Sequence, residues 1–227
     1  MQHISQLISQ RRSHRSFQQT PVSKETVLEL LRTAGASPSS SNMQPWKVYA
    51  LSGASKDKLC HATMAFAMTH PTGGATDIDI YPNPLPQPWY ERRRECGEKL
   101  YETLGISRED KRGRAMQAGK NLTFFGAPVG MIITIDEALC PSQLIDIGIF
   151  LQSLMLCAEE MGLATCPQAS WAMWAEVVHS TLAIPSNERV IVGMALGYPN
   201  DDKINSLKQN RLAIEEFATL RGFDDVE

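Results

Sequence analysis

A long, almost wholly apolar segment limits the folds open to this chain more than any other feature. Residues 141–164, PSQLIDIGIFLQSLMLCAEEMGLA, are predicted to form one helix with apolar side chains on nearly every face. A globular protein places such a helix at the centre of its core, because its surface is disfavoured in water. The other elements must therefore pack around it.

Three further apolar segments are predicted strands: WKVYALSG, APVGMIITID and RVIVGMALGYP. The last two are apolar throughout, which is typical of strands buried on both faces. Four further helices are predicted. Two precede the first strand: a short one through Ile4 and Ile8, and one that Ser23 caps and that ends near Ala36. The other two, ERRRECGEKLYETLG and WAEVVHSTLAI, lie between the strands.

This pattern predicts one α+β domain over residues 1–227, with a central mixed sheet flanked by helices. The least regular part is residues 64–119, where THPTGGATDIDIYPNPLPQPWY contains five prolines and two glycines. We interpret this part as an extended excursion or lid on the domain.

Composition excludes several classes of function. The net charge of −3 gives no general reason to expect nucleic acid as a partner. The chain has no apolar run of ~18 residues and no signal-peptide core at its start, so we expect a cytoplasmic protein that does not bind membranes. The five cysteines contain no CxxC pair, which favours reduced, structural thiols over a metal site or a disulfide framework: Cys60, Cys96, Cys140, Cys157 and Cys166.

The segment RRSHR, residues 11–15, concentrates positive charge in a net acidic chain. Arg11 and Arg15 share a face if the turn is helical, and Arg12 and the hydroxyl of Ser13 lie between them. Guanidinium groups bind two oxygens each, so the turn suits a phosphate monoester. A solvated basic helix end is the alternative, because the helix dipole favours cations there. Arg211 is a possible further phosphate ligand or an ordinary surface residue.

Two loops carry polar groups that suit a flat heteroaromatic ligand. SPSSSNMQPW, residues 37–46, cannot be a helix, and it offers small residues beside polar ones. GLATCPQASW, residues 162–171, has backbone N–H groups free to donate after Pro167. An ordinary serine-rich loop and a plain helix-to-helix turn are the alternatives. The candidate ligand groups in the two loops belong to Pro38, Ser39, Ser40, Asn42, Gln44, Gln168, Ala169 and Ser170.

Taken together and in this order, these stretches resemble the nitroreductase family of FMN-dependent flavoproteins. The matching pieces are RRSHRSF, ASPSSSNMQPWKVY, FFGAPVGMIITID, DIGIFLQSLMLCAEEMGLATCPQ, and NERVIVGMALGYP followed by NRLAIEEF. They cover nearly the whole chain. The insertion with YPNPLPQPWYERRRE and the following KNLTFFGAPVG is similar to the subgroup of 4-nitrobenzoate reductases.

The resemblance implies a nitroreductase-like α+β fold and an obligate homodimer that holds FMN at the subunit interface. It assigns the arginine-rich turn to the phosphate, the ribityl chain and an edge of the isoalloxazine. The serine-rich loop reaches over from the other subunit to the dimethylbenzene end. The backbone of Ala169 and Ser170 is the implied contact near flavin N5. Asn121 (or Lys120) is the implied contact near the pyrimidine ring, and Arg211 the implied further ligand of the phosphate.

Two departures from the family pattern affect the flavin's electrostatics. Gln209 occupies the position where the family often has a lysine, and the assignment of the pyrimidine contact is ambiguous between Lys120 and Asn121. These departures leave open which cation stabilises negative charge on the reduced flavin. A third departure is the pair Ala169 and Ser170, where the family often has a glutamate and a glycine.

The activity implied by the resemblance is reduction of nitroaromatics or quinones by a ping-pong, two-electron cycle. NADH or NADPH would pass hydride to flavin N5 and leave before the acceptor binds, with no side-chain acid or base. Since the chain has no GxGxxG, the nicotinamide would visit the flavin pocket transiently. The implied walls of the substrate pocket are Trp89, Tyr90, Phe124 and Phe125.

Three alternatives stay open. The triplet Arg92, Arg93 and Arg94 is either a cation site for a substrate carboxylate or part of a solvated helix. The fold also supports dehalogenation, flavin fragmentation and ring oxidation in relatives. From a different class, the chain could be a flavin-free module that binds anions or nucleotides through RRSHR.

Overall fold

The computed structural model describes residues 3–139 and 141–223. Its sheet has four strands in the order β1-β2-β4-β3: β1 (Lys47–Ser52), β2 (Val129–Asp136), β3 (Ala164–Gln168) and β4 (Glu188–Gly197). All three neighbouring pairs are antiparallel, so the prediction of a mixed sheet is wrong. Strands β2 and β4 are apolar throughout because helices cover both faces of the sheet. Parallel sheets usually show this pattern.

Seven α-helices lie within the described residues. Ser23 caps α2 as predicted, because its side chain accepts a hydrogen bond from the N–H of Thr26. The helices are α1 (Ile4–Gln10), α2 (Lys24–Ala34), α3 (Gly53–Thr69), α4 (Trp89–Leu104), α5 (Lys111–Gly119), α6 (Gln143–Glu160) and α7 (Ala175–Leu182).

The core has two halves, one on each face of the sheet. Ile133 of β2 packs with α2 and α6, whereas its neighbour Ile132 points into the half that contains α3 and α7. This alternation follows from the period of two in a strand. Helix α6 buries one face through residues such as Phe150 and Leu154, but Ile145 on its other face is 67% exposed. The prediction of a helix at the centre of the core is therefore correct for one face only.

Two glycines let an aromatic pair lie against the sheet. The rings of Phe124 and Trp171 stack with their centroids 4.4 Å apart. A side chain at Gly130 or Gly193 would overlap these rings. Phe124 has no exposed surface and Phe125 is buried too, so both belong to the core. The prediction that they form walls of a substrate pocket does not fit this burial.

The irregular excursion is shorter than the predicted 64–119, because α3 continues to Thr69 and α4 and α5 fill most of the remainder. Residues 70–88 contain no helix or strand. Asp77 ties this stretch to the body: its Oδ2 accepts a hydrogen bond from the N–H of Val190 over 2.6 Å and lies 3.0 Å from Nε2 of His179. The stretch is therefore fixed to β4 and α7 near its middle.

Among residues 3–139 and 141–223, no helix combines the length and apolar character that a membrane span requires.

Four of the five cysteines lie in this part and are free thiols, and Cys140 lies outside the described residues. Burial raises the pKa of the Cys166 thiol to about 11, although the charges of Arg15 and Arg11 oppose the shift. Cys166 is therefore a neutral thiol at pH 7, which fits the prediction of structural cysteines.

Candidate functional site

The arginine-rich turn follows directly after α1 and lies along β3. The N–H of Arg11 closes the last turn of α1 on the carbonyl of Leu7, and the chain is extended from there. The N–H of His14 donates to the carbonyl of Thr165 over 3.0 Å, and Ser13 pairs with Thr165 in a short parallel bridge. The turn is thus not helical, and the edge strand β3 sets its path.

Asn205 fixes the turn from the C-terminal side of the chain. Its Oδ1 accepts a hydrogen bond from the N–H of Arg15 over 2.8 Å, and its carbonyl accepts one from Nη1 of Arg12 over 3.3 Å. Its Nδ2 donates to the carbonyls of Ser16 and Asn200. Asn205 is only 7% exposed, so these bonds are made where water does not compete.

Positive charge converges on His14. Burial lowers the pKa of this imidazole to about 4, and the charges of Arg12, Arg11 and Arg15 add to the effect. His14 is therefore neutral at pH 7, and the three guanidinium groups supply the charge of the turn. Such a field favours a bound anion with more than one negative charge.

The serine-rich loop is held in a strained conformation. Ser41, Asn42 and Gln44 all have positive φ, which residues other than glycine seldom adopt. The hydroxyl of Ser39 accepts the N–H of Gln44 over 3.0 Å, and Nε2 of Gln44 donates to the carbonyl of Asn42. The side chains of Ser39 and Gln44 are thus partly used to shape the loop itself.

Helix α6 holds this loop in place. Asp146 accepts a hydrogen bond from the N–H of Ser40 over 3.1 Å, and the hydroxyls of Ser37 and Ser153 are 2.7 Å apart. The ring of Trp46 stacks on Phe150 at 5.0 Å. These contacts place Pro38, Ser39 and Ser40 against α6, whereas the arginine turn lies along β3. No hydrogen bond or ion pair between described residues joins the serine loop to the turn.

Gln168, Ser170 and Asn121 form a polar cluster where β3 ends. Nε2 of Gln168 donates to the carbonyl and to Oδ1 of Asn121 over 2.9 and 3.1 Å, and the hydroxyl of Ser170 lies 3.4 Å from the same Oδ1. Ala169 lies between Gln168 and Ser170 in the sequence and is the first residue of a 3-10 helix (Ala169–Trp174). The structure therefore joins the predicted pyrimidine contact, Asn121, to the predicted N5 turn.

Three predicted site residues lie apart from these groups. Within the described residues, the hydrogen bonds of the Arg211 side chain go to the carbonyls of Gln209 and Asn210, and the residue is exposed. Trp89 and Tyr90 are half exposed at the start of α4. The structure does not bring Arg211 to the arginine turn within one chain.

Two residues that the sequence did not indicate are central to this arrangement. Asn205 holds the arginine turn and Asp146 holds the serine loop. A carboxylate in the first turn of the largely apolar helix α6 is a signal that could have identified Asp146. No local signal distinguishes Asn205.

The nitroreductase family model matches residues 8–198, which include the arginine turn, the serine loop and the polar cluster. The chain belongs to the nitroreductase family.

Curated relatives are similar over almost their whole length. The chain is 36% identical to a 4-nitrobenzoate reductase of Pseudomonas putida, with 96% of this chain and 95% of that protein covered. It is 37% identical to a nitrobenzene nitroreductase of Ectopseudomonas oleovorans, with 96% of each chain covered.

Solved structures of nitroreductases superpose closely on this one. An FMN- and NADPH-dependent nitroreductase NfnB from Sphigopyxis sp. strain HMH has a TM-score of 0.95 at 34% identity, covering 98% of this chain and 100% of that one. The FMN-dependent nitroreductase NfnB from Mycobacterium smegmatis, in complex with NADPH, has a TM-score of 0.90 at 30% identity, covering 96% and 97%.

Proposed function

We propose that this protein is an FMN-dependent NAD(P)H oxidoreductase that reduces nitroaromatic compounds, and quinones as further acceptors. The observation that carries the proposal is the convergence of Arg11, Arg12 and Arg15 on a neutral His14 beside β3. The full-length similarity to nitroreductases supports the same conclusion.

The residues present fit a phosphorylated flavin. The arginine turn has the charge and the donors that a phosphate monoester requires. In the cluster with Asn121 and Ser170, Oε1 of Gln168 is a buried acceptor without a hydrogen-bond partner among the described residues. An acceptor of this kind suits an N–H on the polar edge of a ring. We assign Arg11, Arg12, Ser13 and Arg15 to the phosphate, the ribityl chain and an edge of the isoalloxazine. We assign Asn121, Gln168, Ala169 and Ser170 to the polar edge of the ring and to N5.

When bound, FMN supplies the hydride chemistry at its N5 atom. The protein's part is to bind and orient the ring and to provide charge. The three arginines favour a negatively charged ligand, and the polar cluster defines one edge of the ring. The chain itself then needs no acid or base in the reaction, which is consistent with a neutral His14 and a protonated Cys166.

We assign Pro38, Ser39, Ser40, Asn42 and Gln44 to a flavin site completed by a second subunit. The separation of the serine loop from the arginine turn supports this assignment, because each lies against a different element. Exposed apolar side chains support a homodimer: Ile145 of α6, Ile8 of α1 and Phe217 near the C-terminus are all more than half exposed. Arg211 would then act as a phosphate ligand through the same interface. The cytoplasmic location stays a prediction.

The proposal is tested on the purified protein reconstituted with FMN. We expect a yellow protein whose visible band bleaches anaerobically with NADPH or NADH and returns when 4-nitrobenzoate or a quinone is added. Double-reciprocal plots of rate against donor concentration that stay parallel at different acceptor concentrations would support the ping-pong order. Light scattering on the same sample should give the mass of a dimer.

Other results would point to different functions. A protein that stays colourless and binds no added FMN would contradict the redox function and leave the flavin-free anion-binding module as the alternative. A yellow protein that both nucleotides fail to bleach catalyses another reaction of the fold, such as dehalogenation, flavin fragmentation or ring oxidation.

A further inference from the structure

A basic pocket outside the candidate flavin site lies between α4 and α5. Its volume is about 320 Å³ and it is open to solvent. We call it the α4–α5 pocket. Its lining consists of Tyr90, Arg93, Arg94, Gly97, Glu98, Tyr101, Arg108 and Arg114. Four arginines and one glutamate give it a net positive charge in a chain that is net negative.

Among the described residues, ion pairs neutralise one of the four arginines, Arg94. Arg94 pairs with Glu98 over 2.8 Å and also with Glu91, and these contacts raise its pKa further. Among the described residues, Arg93, Arg108 and Arg114 form no ion pair within 4.0 Å. The nearby carboxylate of Glu109 has a lowered pKa, because hydrogen bonds to its own backbone and to Ser107 favour its charged form, and the charges of Arg108 and Arg114 add to this.

Aromatic rings hold two of the free guanidinium groups in place. Arg114 lies over the ring of Tyr101 at 4.2 Å and donates Nε–H to the carbonyl of Ser107. Arg93 lies over the ring of Tyr81 at 4.3 Å. Stacking leaves the outer N–H groups of both arginines free to donate, and it reduces the side-chain entropy lost when a ligand binds.

We propose that the α4–α5 pocket binds the phosphorylated adenosine end of NADPH and so selects NADPH over NADH. The 2′-phosphate of NADPH is a dianion, and three unpaired guanidinium groups suit a dianion better than a monocarboxylate. Tyr90 lines the pocket and offers a ring face on which an adenine can stack. This assignment rests on the proposed function, because NADPH is the donor in that reaction.

The position of the pocket allows one dinucleotide to reach both sites. Helix α5 carries Arg114 and leads without interruption into the 3-10 helix that contains Asn121. Seven residues of helix separate the two positions by roughly 10 Å along the axis. An extended dinucleotide is longer than this separation, so its nicotinamide can lie at the flavin while its adenosine lies in the pocket.

The direct test is calorimetric titration of 2′,5′-ADP into the FMN-loaded protein. We expect the dissociation constant to rise roughly tenfold or more in Arg108→Ala and in Arg93→Ala, since each loses a charge-assisted contact. Arg92→Ala is the matched control, because Arg92 is an exposed arginine of the same helix that does not line the pocket. 5′-AMP, which lacks the 2′-phosphate, should bind at least tenfold more weakly than 2′,5′-ADP to the wild-type protein.

The kinetic test compares the two donors. Arg108→Ala should lower kcat/KM for NADPH roughly tenfold or more and leave kcat/KM for NADH within twofold. The proposal is overturned if 2′,5′-ADP does not bind the wild-type protein, if Arg92→Ala shows the same loss, or if both donors lose equally. Displacement of 2′,5′-ADP by 4-nitrobenzoate at equal or lower concentration would instead identify the pocket as a carboxylate site. Failure of both donors to bleach FMN would contradict the proposed function. Binding of 2′,5′-ADP needs no hydride transfer, so the titration tests the pocket separately from that function.

Discussion

The side-chain carbonyl of Asn205 accepts the backbone N–H of Arg15 over 2.8 Å, across 190 positions of sequence. This bond, with the bridge between Ser13 and Thr165, fixes the path of the arginine turn. A buried amide with this number of partners leaves several groups unsatisfied when it is removed.

Asn205→Ala should therefore lower the free energy of unfolding by about 1–3 kcal/mol, as measured by urea denaturation. It should also weaken FMN retention about tenfold, because the turn loses its support. Asn205→Asp keeps the acceptor for Arg15 and loses the donor to Ser16 and Asn200, so we expect an intermediate effect. The exposed Asn210 provides the control, and an Asn210→Ala variant as damaged as Asn205→Ala would contradict this role.

Arg11→Ala should weaken FMN retention by about 1.5–3 kcal/mol, which is roughly 10- to 150-fold. The measurement is the dissociation constant of FMN from the recovery of its fluorescence on release. Arg32→Ala, on the exposed side of α2, removes the same charge away from the turn and should leave retention unchanged. Equal retention in wild type and Arg11→Ala would falsify a direct phosphate contact.

Local signals predicted the elements whose pattern is strong. The apolar runs predicted β1, β2 and β4, and Ser23 and Pro38 predicted the limits of α2. Strand β3 was missed because Pro167 interrupts a short apolar run and argues against a strand. The structure tolerates Pro167 because β3 is the edge of the sheet, where a missing N–H does not break an inner ladder.

The site was predictable only where its residues are neighbours in sequence. The arginine turn and the serine loop are contiguous segments, so the resemblance could identify them together. The role of Asn205 depends on contacts with residues near the other end of the chain, which no local pattern reports. Phe124 and Phe125 were expected in a substrate pocket, but they are buried in the core. Two adjacent aromatic residues before a strand suit a core as well as a pocket, so the sequence does not distinguish the two.

Asp146 should matter for the serine loop. Asp146→Ala removes the acceptor for the N–H of Ser40, so the strained loop loses its attachment to α6. We expect FMN retention to fall severalfold, whereas Asp146→Asn, which keeps a carbonyl oxygen, should retain more than the alanine variant. Retention is measured by fluorescence, and circular dichroism confirms that each variant is folded. An asparagine variant no better than alanine would contradict the role of this hydrogen bond.

His14 should make stability depend on pH. The pKa of His14 is about 4 in the folded protein, against 6.5 ordinarily. Between these values the unfolded chain binds a proton that the folded chain does not, so the free energy of unfolding falls as the pH is lowered from 6.5 to 4. The full linkage energy is about 3 kcal/mol, and screening of the partly exposed ring reduces the expected loss to about 2 kcal/mol.

Urea denaturation at several values between pH 7 and pH 4 measures this dependence. His14→Gln should lose about 2 kcal/mol less than the wild type over this range, because its side chain does not titrate. His61→Gln replaces an exposed histidine of α3 and corrects for the loss of an imidazole as such. If the wild type and His14→Gln lose stability equally, His14 does not carry the pH dependence.

Gly193→Ala tests the packing that supports the polar cluster. A Cβ at this position in β4 would overlap the ring of Trp171, which has no exposed surface and stacks on Phe124. Because neither ring has room to move, we expect a loss of about 1–3 kcal/mol in the free energy of unfolding. Trp171 belongs to the same 3-10 helix as Ser170, so the displaced ring should also shift the cluster and weaken FMN retention.

Gly119→Ala is the matched control: a Cβ there meets no atom within 4 Å, and alanine in place of glycine should stabilise helix α5 by about 0.5–1 kcal/mol. Equal stability of the Gly193→Ala and Gly119→Ala variants would show that the sheet can relax around Trp171, and that the aromatic pair does not fix the position of the cluster.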